Sequence, residues 1–146
     1  MTAEFDRDLK SCREGLDAAR DGLLATVAAL RDSDLERGRR GGWTVRRVLE
    51  HVIWSEWMYS RIATHLRGGQ PPGDRVDATP SSPADAVERL HGSRDALLAA
   101  IAGVDEETFY RLTRLGQEEY SVISLLENEI NHEREHAEQL RTLTAG

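Results

Sequence analysis

Leu9, Leu16, Leu23 and Leu30 recur at intervals of seven residues, with Cys12, Ala19 and Thr26 between them. That spacing is the apolar stripe of a bundle helix, and it predicts a first helix over about residues 3–31. The charged, turn-forming stretch DSDLERGRRGG, residues 32–42, ends it. Thr44 is a good N-cap and Trp43 before it can pack on Val48, so a second helix starts there. Its stripe runs through Val45, Val48, Leu49, Val52, Tyr59, Ile62, Ala63 and Leu66. A long polar connection, GGQPPGDRVDATP, follows at 68–80. Ser82 and Pro83 supply the N-cap and first position of a third helix with a stripe of Val87, Leu90, Leu97, Leu98 and Ile101, ended by Gly103. Asp105 caps a short helical turn to about Thr113, and Ser121 caps a final helix to about Leu143. No β-type alternation persists beyond a few residues. Four long helices predict an all-α four-helix bundle, one domain over residues 1–146.

Some polar residues fall where such a bundle should be apolar. The final helix carries His132-Glu133-Arg134-Glu135-His136. At about 100° per residue, His132 and His136 lie at one edge of its apolar sector, and Glu129 and Glu133 fall inside it. On the second helix His51 holds the edge, with Ser55 and Glu56 within. Two histidines one turn apart, with a third from a neighbouring helix, can present three imidazoles to one metal ion. His65 and His91 are weaker candidates, one near a helix end and the other beside the third helix's stripe.

The helix lengths test that assembly. His51 is about 10 Å into its helix, and His136 is about as far from the end of the last one. The two are level if helices two and four run antiparallel. That requires up-down-down-up order, with the 67–81 connection crossing the length of the bundle. Three neutral imidazoles suit Zn, Ni or Fe, with positions open to water. A bound water would serve hydrolysis, and a bound thiolate would serve group transfer. Glu129 and Glu133 are candidate catalytic groups, either orienting the imidazoles or acting as general base. Equally, they could pair with arginines from other helices.

These segments resemble a known family. GWTVRRVLEHVIWSEW, residues 42–57, is similar to the second-helix segment of DinB/YfiT-like proteins, and NHEREHAEQLRTL, residues 131–143, to their fourth-helix segment. The resemblance implies a four-helix bundle that binds a divalent metal through His51, His132 and His136. Relatives include S-transferases and isomerases that use mycothiol or bacillithiol. The GWTV start looks most like the mycothiol-dependent branch, which implies mycothiol as co-substrate and a thiol-dependent transferase acting on a small molecule.

Other chemistries compete. His132-Glu133-x-x-His136 also matches the zinc-protease signature, but the position of a third ligand is Thr142 and no strand is expected to hold a peptide. A di-iron carboxylate redox bundle would use Glu129-x-x-His132, Glu133-x-x-His136 and Glu88-x-x-His91 with Glu14 and Glu56, and would leave His51 idle. A metal-free interaction bundle is the plainest alternative.

Composition narrows the partners. The net charge of -7 argues against nucleic acid, whose backbone needs a basic surface. The bias to 18 Arg against one Lys reads as codon usage. The single cysteine, Cys12, excludes an internal disulfide and suits a reducing cytosol. The first residues contain no signal-like apolar core, and no run is long enough for a membrane span, so a cytoplasmic location is expected. Trp54 and Trp57 lie off the apolar sector of the second helix, which predicts a homodimer packed through that face.

Overall fold

The computed structural model describes residues 2–73 and 76–145. Four long helices, α1 (Ala3–Ala28), α2 (Val45–Leu66), α3 (Pro83–Ile101) and α5 (Val122–Thr144), form the bundle, and a short α4 (Glu106–Tyr110) precedes the last. The last four start where the capping chemistry placed them, and α1 starts after an N-cap, Thr2, that was not expected. The side-chain oxygens of Thr44, Ser82, Asp105 and Ser121 accept from the backbone N–H three residues on. Gly103, with φ 69°, follows the end of α3, a conformation that side chains with a Cβ rarely adopt.

Contacts between helices fix their directions. Arg20 meets Glu133 and Arg141 meets Thr26, so α1 and α5 run parallel. Arg46 reaches the Pro80 carbonyl, Arg94 meets Glu56, and Arg67 meets the Ala100 carbonyl, so α2 and α3 are parallel too. His51 and Glu56 of α2 face the successively earlier residues His136 and Glu133 or Glu129 of α5, which is antiparallel pairing. The order is up-down-down-up, and residues 67–82 form the crossover that it requires.

The core has two apolar parts. Phe5, Leu16, Leu97, Ile101, Phe109 and Leu125 belong to one. Leu23, Val27, Val48, Leu49, Leu90 and Leu140 belong to the other. Between them lies a layer of charge described below. Among the described residues, no helix is long and apolar enough to cross a membrane.

Two elements were not expected. Asp32–Glu36 is a 3-10 helix, and β1 (Thr113–Leu115) pairs antiparallel with β2 (Glu118–Tyr120). The hairpin turns on Gly116, whose φ of 66° meets the demand of a two-residue turn for positive φ. Strands of three residues are too short to show an alternating pattern, which is why the sequence suggested only a helical turn nearby.

Candidate metal centre

His51 projects from the second turn of α2, and His132 and His136 from successive turns of α5. All three are half-buried. Their Nε2 atoms converge: His51 to His132 is 2.9 Å, and His136 to His132 is 2.9 Å. The ring planes are steeply inclined to one another, at 72–89°. Hydrogen bonding alone explains this poorly. A neutral imidazole Nε2 carries either one proton or one lone pair, and that of His132 faces two neighbours.

Metal ligation fits the donor set. Two nitrogens bound at about 2.0–2.1 Å are about 2.9 Å apart at a right angle and about 3.3–3.4 Å apart at a tetrahedral one. His136 Nδ1 lies 2.7 Å from Gln139 Oε1, so Nδ1–H donates there and leaves Nε2 its lone pair. Burial, then His136 and His51, pushes the His132 pKa down to about 4. Burial, then His136 and Arg47, lowers that of His51. Both rings are therefore neutral at neutral pH, the form that ligates.

Glu129 and Glu133 point into the charged layer between the two apolar parts. Glu133 Oε1 accepts from Arg20 Nε at 2.6 Å, and Oε2 accepts from Arg94. The same arginines bridge to Glu56, Arg20 Nη2 to Oε1 and Arg94 Nε to Oε2, each at 2.7 Å. Each long helix thus gives one member to a buried ring of two cations and two anions. Burial pulls the Arg20 pKa down, but Glu56 and Glu133 outweigh it and raise the value. Removing one partner from such a ring strands a buried charge, at a cost of about 3–5 kcal/mol.

Glu129 is different. It is fully buried, and among the described residues neither of its oxygens has a hydrogen-bond partner. Burial, then Glu56 and Glu133, raises its pKa well above the usual carboxylate range, which keeps it protonated. His132 Nδ1, three residues on, is likewise buried without a partner among the described residues.

Sequence reasoning named all three histidines and the three inward carboxylates, Glu56, Glu129 and Glu133. It missed Arg20 and Arg94, although each sits four residues after one stripe leucine and three before the next: Leu16 and Leu23, Leu90 and Leu97. A cation inside an apolar stripe was the available signal. The di-iron ligand set does not assemble: Glu88 and His91 are exposed, and Glu14 is on the surface 3.9 Å from Lys10. Trp57 is half-buried against the apolar part that contains Leu49 and Leu90 and approaches Gly92 of α3, so it does not face outward as expected. The packing of α2 on its parallel neighbour α3 covers that ring, and the 100° wheel could not show this. Trp54 is 50% exposed.

A cleft of about 680 Å³ opens beside His51. Its walls are Trp43, Arg47 and Trp54 from α2 and the residues just before it, and Val76–Thr79 of the crossover. The crossover is tied down by Thr79 Oγ1 donating to Glu50 at 3.1 Å and Arg46 donating to the Pro80 carbonyl. Trp43, expected on Val48, stands edge-on to His51 with ring centroids 5.0 Å apart.

The sequence profile of the DinB superfamily matches residues 15–140, which include every residue of this centre. The chain belongs to the DinB superfamily. No curated protein matches it significantly. This DinB chain is also similar to a solved structure titled "Crystal structure of TT2238, a four-helix bundle protein". The two are 24% identical with a TM-score of 0.69, over 90% of this chain and 96% of that one. At that identity the likeness shows the fold alone.

Proposed function

We propose that this DinB protein is a metal-dependent enzyme whose divalent ion is held by His51, His132 and His136 and whose small-molecule substrate enters the cleft beside His51. The observation that carries this is the convergence of three imidazole nitrogens, with His132 Nε2 at 2.9 Å from both others. When bound, the ion supplies Lewis acidity and lowers the pKa of a coordinated water or thiol.

The chain's own groups divide the remaining work. Gln139 fixes the His136 tautomer through Nδ1. Glu129 is assigned to orienting His132, because its carboxyl and His132 Nδ1 are buried, unpartnered among the described residues, and one turn apart on α5. Glu133 holds α5 in register through Arg20 and Arg94, and its burial in that ring of ion pairs does not suit it to serve as a general base. Trp43 and the crossover limit access of water to one side of the centre.

The reaction class favoured is transfer to or from a low-molecular-weight thiol bound as thiolate. Its support is the likeness of residues 42–57 to the mycothiol-dependent branch. Loss of thiol should be followed with mycothiol and electrophilic small molecules, using metal-loaded and chelator-stripped protein. Turnover that needs both metal and thiol is the expected result. Metal-dependent turnover indifferent to thiol would replace transfer with hydrolysis, and activity surviving in the stripped protein would remove the metal from the mechanism.

A further inference from the structure

We infer that the cleft is built for a small molecule bearing an anionic group, a carboxylate or its like, which Arg47 receives while the remainder reaches the histidine centre. The inference rests on the metal reading proposed above and adds the substrate class to it.

Arg47 is held in place by an aromatic ring. Its guanidinium carbon lies 5.2 Å from the Trp43 ring centroid, a cation–π contact. The same indole stands 5.0 Å from the His51 ring. Trp43 therefore acts as a spacer that sets the guanidinium at a fixed remove from His51. Arg20, Arg46, Arg89 and Arg94 each meet a carboxylate within 4.0 Å. Arg47 meets none among the described residues. Among the described residues, two acidic side chains, Glu50 and Asp77, also line the cleft and keep their charge, but neither pairs with Arg47. Glu50 accepts from the Thr79 hydroxyl at 3.1 Å, and Asp77 accepts from the Thr79 N–H at 3.0 Å and lies 4.0 Å from Arg89.

A free guanidinium beside a dication site is repulsive unless an anion lies between the two. Planar, five-donor guanidinium is also the side chain suited to gripping a carboxylate in a forked geometry. The walls on either side are indoles, Trp43 at 40% and Trp54 at 50% exposure, which is unusual area to leave to water. They suit the flat or aliphatic body of a ligand whose charged end meets Arg47. The volume, about 680 Å³, is that of a small-molecule site. A neutral ligand would leave Arg47 unused, and a cationic group at the Arg47 end would meet the guanidinium as a like charge.

Cobalt-loaded protein gives a direct test. The probes are 3-mercaptopropionate and its amide, 3-mercaptopropionamide, which share a thiol and differ only in the anionic end. Affinity is read from the thiolate-to-cobalt absorption band and from quenching of tryptophan fluorescence. Wild type should bind the acid about five- to tenfold more tightly than the amide, the range of a charge-assisted contact in a partly exposed site. Arg47→Gln should bind both probes alike, and Arg47→Lys should keep part of the preference. Equal affinities in wild type, or a preference that survives Arg47→Gln, would overturn the inference while leaving the metal centre standing. Failure to take up cobalt at all would overturn the metal reading, and this inference with it.

Discussion

Glu129 is the residue with the clearest consequence for stability. It is buried among Glu56 and Glu133, and its pKa lies well above the ordinary value of 4.5. Below pH 4.5 the folded and unfolded chains both hold this proton. As pH rises past 4.5 the unfolded chain releases it and the folded chain does not, so stability falls until the folded-state value is reached. Glu129→Gln keeps the shape and removes that loss. In chelator-treated protein unfolded by urea, the variant should match wild type near pH 4 and exceed it by at least about 1 kcal/mol at pH 8. A difference that does not change with pH would show that Glu129 ionises freely in the folded state. His132 acts in the opposite sense. With a folded value of about 4, it makes the metal-free fold lose stability as pH falls from about 6.5 to 4.

At the scale of elements, α1 and α5 pack closely because Gly15 faces Ile130. A Cβ at Gly15 would lie 2.7 Å from Ile130 Cδ1, whereas one at Gly22, on the same helix, would meet nothing within 4 Å. Helix propensity favours alanine over glycine by about 0.8–1.0 kcal/mol at either position. Gly22→Ala should therefore gain about that amount in thermal or urea unfolding, and Gly15→Ala should gain little or nothing, since Ile130 must shift. Equal gains would mean that the two helices are less closely packed than they are here. The four long helices were legible from their apolar stripes of helical period, and three of their caps from Thr44, Ser82 and Ser121; the cap of α1, Thr2, was not named. The β1–β2 hairpin was not, since three-residue strands carry no period, and its one local signal was Gly116. Arg20 and Arg94 were legible in principle. Each is a cation set between two leucines of an apolar stripe, a position that needs counter-charges from other helices.

For the molecule as a whole, topology and site are one problem. The level match of His51 with His136 was enough to choose up-down-down-up order, and the parallel pairing of α2 with α3 carries that order. The charge ring of Arg20, Glu56, Arg94 and Glu133 then locks the relative heights of all four helices beside the histidines, with Glu133 lying between His132 and His136 in sequence. No single-helix pattern could show a ring assembled from four of them. Self-association is open to a similar test. With Trp57 packed on α3, Trp54 alone supports the expected homodimer. Sedimentation at micromolar concentration should show a wild-type dimer that Trp54→Ala dissociates, and a monomeric wild type would remove that expectation. The central claim is the three-histidine centre, and elemental analysis of the purified protein tests it most directly. One divalent ion per chain is expected in wild type, with occupancy lost in His51→Ala, His132→Ala and His136→Ala while the variants remain helical. Full occupancy retained in His51→Ala, or two ions per chain in wild type, would contradict it.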